Sequence, residues 1–164
     1  MTRGAKTQGQ FRKVTFVLDP EEWHGYKTET VWAEAVATDR YRLRNTPFFA
    51  KGVSVEDVVR VRRQDGALFF DAVSISSGHS TYRVVVDKAT ESDVLEEYWL
   101  PLQTLGCTYE SAEMNVLLLA VDIPPDVDIY AAYALLEKGE SDSVWYFEEG
   151  HCGHLEACAR ADAT

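Results

Sequence analysis

The residues able to do chemistry gather in a few places, and the densest is Ser76-Ser77-Gly78-His79-Ser80-Thr81-Tyr82-Arg83. An imidazole, several hydroxyls, a phenol and a guanidinium in so short a run are the polar groups that orient a small molecule at the edge of a pocket. His79, Ser80, Tyr82 and Arg83 are therefore the candidate ligand-binding residues. A base–nucleophile pair of His79 and Ser80 is disfavoured, because neighbours on an extended segment point to opposite faces. The plainer alternative is a glycine turn whose Ser and His side chains bond to backbone.

A second cluster is His151-Cys152-Gly153-His154. Two imidazoles and a thiolate at this spacing suit Zn²⁺ or Cu²⁺. A closed zinc site needs further ligands, and His24, His79, Cys107 and Cys158 have no ligand spacing of their own. A metal at His151, Cys152 and His154 is thus the minor expectation beside a polar terminal segment, and no cofactor is expected. Arg40, Arg42 and Arg44 share one strand face, and Arg60 and Arg62 share another. They form either a basic stripe for an anion or a solvated outer surface. Glu96-Glu97, Asp126/Asp128 and Glu148-Glu149 are carboxylate pairs by sequence only, the second placed as helix-start acids. No GxGxxG, P-loop, HExxH or GxSxG element is present, which tilts the balance away from an enzyme.

The elements that must position these groups come in two textures. Residues 1–12 are polar and without period, as in a disordered tail. From Lys13 short alternating strands follow: Val14, Phe16 and Leu18; then Thr30–Val36 with Val31, Ala33 and Ala35 on one side and Trp32 and Glu34 on the other. Thr38-Asp39 turns into Arg40–Arg44, and Asp65-Gly66 turns a second hairpin into Ala67–Ile75. Such closely spaced strands over residues 13–77 predict a small barrel-like sheet. Past Thr81 the period changes. Val94, Leu95, Tyr98, Trp99, Leu102 and Leu105 trace one helical face that Gly106 ends, with Pro101 expected to kink or shorten the helix. A strand pair around Glu113-Met114 follows, then a helix from Pro124 to Lys138 with Ile129, Tyr130, Tyr133 and Leu136 inward and Gly139 as its stop, then Val144–Glu149 as a last strand. The order β-α-β-β-α-β over residues 81–149 predicts a ferredoxin-like α+β unit at 78–150, followed by a tail at 151–164.

Charge divides the same way. Residues 1–13 carry +4, residues 14–86 carry −1 and residues 87–164 carry −14 of the net −11. So acidic a second half repels phosphate backbones, which argues against nucleic acid and for a basic partner or simple solubility. No apolar run reaches the ~20 residues of a membrane span. The three cysteines lack CxxC spacing, which fits thiols in a reducing, cytoplasmic compartment.

At Asn45-Thr46-Pro47-Phe48-Phe49-Ala50-Lys51-Gly52-Val53-Ser54-Val55-Glu56-Asp57-Val58-Val59 and at Ser77-Gly78-His79-Ser80-Thr81-Tyr82-Arg83-Val84 the chain resembles the bacterial family known as domain of unknown function 4265. The likeness extends more loosely through Leu105-Gly106-Cys107, Tyr109-Glu110 and Trp145–His151; Thr46 and Lys51 stand where more apolar residues are expected. The resemblance implies a bacterial cytosolic protein without an established activity, so it carries over no catalytic residue. Two functions remain in view. One is a non-enzymatic, acidic protein-binding module, of antitoxin or immunity type, for a basic partner. The other is a ligand-binding or catalytic protein with a pocket at the seam between subdomains, around His79 and Arg83.

Overall fold

The computed structural model describes residues 10–154 and is a mixed α+β molecule with two helices and mostly antiparallel strands in two sheets. Strands β1 (Phe11–Val17), β2 (Thr28–Ala37), β3 (Arg40–Leu43), β4 (Val58–Gln64) and β5 (Ala67–Ile75) form the first sheet. It closes on itself, because β1 pairs antiparallel with β2 and parallel with β5. Alternation sends Val14, Phe16, Val31, Ala33, Tyr41, Leu43, Val59, Val61 and Leu68 into the interior, while Trp32 stays outside. The β4–β5 turn uses Asp65 and Gly66 at φ 51° and 79°. Both are left-handed, as a two-residue hairpin of matching twist requires. Strand β1 starts at Phe11, inside the segment expected to be a tail; residues 1–9 and 155–164 lie outside the described residues.

The second sheet holds β6 (Ser80–Val86), β7 (Thr108–Glu113), β8 (Leu117–Ile123) and β9 (Trp145–His151) in the order β7-β8-β6-β9. Helices α1 (Ser92–Leu105) and α2 (Ile129–Ser141) cover one face. The shared core there comprises Tyr82, Val84, Trp99, Leu102, Leu119, Val121, Ile129, Ala132, Leu136 and Trp145. Four local expectations are corrected. Helix α1 does not end early at Pro101 but runs on to Leu105; Pro101 is exposed, so water can bond the Glu97 carbonyl it deprives of a donor. Helix α2 begins at Ile129 rather than Pro124, capped by the Asp128 carboxylate, which accepts from the N–H groups of Tyr130 and Ala131. Tyr130 is exposed and Tyr133 lies at the margin, its ring edge-on to Phe147, while the inward stripe is Ile129, Ala132, Leu136 and Gly139. Gly139 is no helix stop: it lies inside α2, where a Cβ would sit 2.2 Å from Trp145 Cε2. The indole packs into that gap and donates its N–H to the Leu136 carbonyl.

The opposite face of the second sheet meets the barrel. Leu118 and Ala120 are fully buried there although they belong to neither apolar cluster.

Candidate functional site

Strand β6 runs along this seam, and its alternation decides where the sequence candidates go. Thr81 and Arg83 turn toward the barrel; Tyr82 turns toward the helices. The Arg83 side chain is 1% exposed. Its Nη1 donates to the Phe49 carbonyl at 3.3 Å, and its Nε lies 3.1 Å from Glu148 Oε1, a close ion pair without the alignment of a hydrogen bond. Nη2 has no hydrogen-bond partner among the described residues. The same Glu148 oxygen accepts from the Trp23 indole, so the β1–β2 loop is tied across the seam to β9.

Beside it, Ser54 Oγ lies 2.7 Å from Thr81 Oγ1 and 2.8 Å from His151 Nδ1, joining barrel loop, β6 and β9. A second clasp has a defined proton arrangement. The Pro124 carbonyl can only accept, so in the neutral His154 ring Nε2 carries the proton and Nδ1 accepts from the Ser80 hydroxyl at 2.6 Å. Ser80 Oγ in turn accepts the Gly153 N–H at 2.9 Å. Gly153 is required here, because a Cβ would lie 2.1 Å from the His79 carbonyl oxygen. His79 Nδ1 is 2.8 Å from Asp122 Oδ1. Burial raises the Asp122 carboxyl pKa, and the His79 hydrogen bond works against that rise. Tyr82 donates to Glu149, and burial followed by that carboxylate pushes its phenol upward. Burial pushes the Cys107 thiol up to about 11, with Asp122 adding to it, so the thiolate nucleophile is suppressed at neutral pH.

The four predicted ligand-binding residues are thus not brought to one point: Arg83 meets Phe49 and Glu148, His79 meets Asp122, Ser80 meets His154, and Tyr82 meets Glu149. The suggested metal set is also divided, with His151 turned to Ser54 and His154 to Ser80 and Pro124, while Cys152 is disulfide-bonded, which corrects the expectation of a thiol there. Among the described residues no three His, Cys, Asp or Glu side chains are grouped to hold an ion. Three carboxylates that composition did not single out pin the barrel loop against the seam. Glu29 accepts from the N–H groups of Phe48, Phe49 and Ala50; Glu110 from Asn45 and Thr46; Asp57 from Ser54 and Ser77. Only Ser54-x-x-Asp57 is a local spacing that sequence could have offered.

The surface of the α+β unit holds a second arrangement. Between α1 and β7 lies a groove of about 520 Å³, with Asp93, Glu96 and Glu97 along its rim and Trp99, Leu100 and Tyr109 in its walls. The barrel's outer face differs. Its arginines are matched locally: Arg44 with Glu34 and Glu56, Arg42 with Glu56, Arg60 with Asp71, Arg63 with Asp39. Of the predicted stripe, Arg42, Arg44 and Arg60 are ion-paired, whereas Arg40 donates to the Asp39 carbonyl and Arg62 to Gln64. No helix among the described residues is long and apolar enough to cross a membrane.

Comparison with known proteins names a family and a fold but no activity. No curated protein matches the sequence. The fold is similar to a solved structure described as a novel crystal structure of a hypothetical protein from Neisseria gonorrhoeae, with a TM-score of 0.73 and 21% identity over 88% of this chain and 96% of that one. At that identity the likeness speaks for the fold alone. Residues 29–147 match the family described as Domain of unknown function (DUF4265), and with most of its length inside that match the chain belongs to this family of uncharacterised proteins.

Proposed function

We propose that this protein is a non-enzymatic binding module whose acidic α+β unit receives a basic partner protein, in the manner of an antitoxin or immunity protein that masks a cationic target. One observation carries this: among the described residues every Lys or Arg ion pair except Arg83–Glu148 lies in the barrel and its loops. Glu91, Asp93, Glu96, Glu97, Asp126 and Glu137 are exposed on the other unit without such a partner. A dense field of one sign steers oppositely charged proteins and rejects nucleic acid. The unit is taken to be ferredoxin-like, supported by its strand order β7-β8-β6-β9 with two crossover helices.

The test is affinity isolation of the full chain from its own host cells, beside a variant with Glu91, Asp93, Glu96, Glu97 and Glu137 replaced by amides. A stoichiometric basic protein retained by the wild type and lost from the variant is expected. Recovery of no stoichiometric partner contradicts the proposal.

A second function is favoured by the buried Arg83 with Nη2 unpartnered, a donor suited to a carboxylate or phosphate group at the seam. His79, Ser80 and Tyr82 lie on the same strand or its lead-in and would be indirect contributors. Thermal-shift screening with small carboxylates and phosphates, repeated on Arg83→Met and His79→Ala, decides it. Stabilisation that survives both substitutions sinks this second function.

A further inference from the structure

We infer that the groove between α1 and β7 is where the partner docks, and that its occupant is an extended Lys/Arg-rich segment carrying one apolar anchoring side chain. This rests on the acidic unit being the protein-binding surface, and it names which part of that surface acts. The helix supplies the rim by spacing: Glu96 and Glu97 lie three and four residues after Asp93, and Leu100 lies four and three residues after them, so all four share one side of α1. Leu100 is 59% exposed and Tyr109, across the groove on the edge strand β7, is 43% exposed. Trp99 makes an edge-on contact with Tyr109, ring centroids 4.7 Å apart, and gives the groove a firm apolar wall.

Charge decides the occupant. No cation lines this groove, whereas the cleft at the barrel mouth holds the Lys51–Glu22 ion pair and the hollow beside Met114 holds Lys88. A neutral apolar ligand has no use for three carboxylates around its site, and an anion is repelled by them. Pro101 adds a backbone feature: lacking an N–H, it cannot bond the Glu97 carbonyl, which leaves an acceptor beside the carboxylates for an incoming donor. A basic segment would place its cations at Asp93, Glu96 and Glu97 and its anchor between Leu100 and Tyr109.

The experiment is an NMR titration of the ¹⁵N-labelled full chain with a short synthetic peptide of Lys and Arg around one central Leu. A twin with Ser for the Leu and a twin with Glu for every cation are run beside it. At low ionic strength the first peptide is expected to shift amides of α1 and β7, and the Glu twin none. Asp93→Asn/Glu96→Gln/Glu97→Gln should weaken binding about tenfold, as should the Ser twin. Leu100→Ser should weaken the Leu peptide and leave the Ser twin unchanged. The amide spectrum of each variant reports its own folding. Shifts spread evenly over α1, α2 and β9, with the triple variant no weaker than Glu137→Gln/Glu140→Gln, would overturn the groove while sparing the acidic surface. Absence of any shift at low salt would overturn both.

Discussion

The barrel and the α+β unit solve the same problem, burying an apolar interior, and treat their surfaces in opposite ways. On the barrel, arginines meet carboxylates of adjoining strands, turns and loops: Arg42 and Arg44 meet Glu56, Arg60 meets Asp71 and Arg63 meets Asp39. On the α+β unit, Lys138 lies over the Tyr98 ring, and the carboxylates of α1 stand unopposed. Neither fold demands its charge pattern, because exposed pairs contribute only ~0.2–1 kcal/mol each. Surface charge here is therefore informative about association rather than about folding, and the proposed partner would meet the unmatched side.

The seam is where that contrast is most sensitive to damage. Arg83→Ala should cost about 2–3 kcal/mol, since it empties a buried volume and leaves Glu148 with the Trp23 indole and water, and Arg83→Met should cost less; chemical denaturation measures both. If the two regions form one cooperative unit, barrel and α+β signals will be lost together. Gly139→Ala should cost about 1–3 kcal/mol by driving a methyl against Trp145, with a lower Tm and altered near-ultraviolet dichroism. An unaffected Tm would mean the indole has another place to go.

Smaller effects sharpen the surface comparison itself. Arg60→Ala should lose roughly 0.5 kcal/mol, whereas Glu97→Gln should gain a few tenths by easing its repulsion with Asp93 one turn earlier. Opposite signs from two charge deletions are the signature of one matched and one unmatched surface. Two carboxyls extend this to pH. The Lys51 hydrogen bond lowers the Glu22 pKa, so its contribution is present above the ordinary Glu value and is lost as pH falls through the lowered one. Burial raises the Asp122 pKa, so ionising it opposes folding above that raised value, and this cost fades as pH falls through it. Side-chain carboxyl titration by NMR should find the two displaced in opposite directions, with Glu22→Gln and Asp122→Asn each removing one component of the pH–stability curve.

Much of this was legible in the chain. Alternation set Val31 and Ala33 on the side opposite Trp32, the Asp65-Gly66 turn was chemically explicit, and the charge partition was visible by counting. What was hidden depends on contacts distant in sequence. Tyr130 and Tyr133 matched an inward period, but Ala132 and Gly139 take the core face, the latter because Trp145 fills the space a Cβ would need. Glu29 and Glu110 look like any surface acid, and only the fold carries them to the loop amides they cap. His79 and Arg83 seemed one cluster, yet each is claimed by a different partner, Asp122 or Glu148, from another strand.

The most direct test measures the surface potential residue by residue, as the difference in NMR relaxation enhancement between a cationic and an anionic paramagnetic co-solute. A cationic excess over the exposed amides of α1, α2 and β9, with near balance over the barrel strands, is the predicted result. An even distribution, or an excess over the barrel, would contradict the division of charge on which the proposed partnership stands.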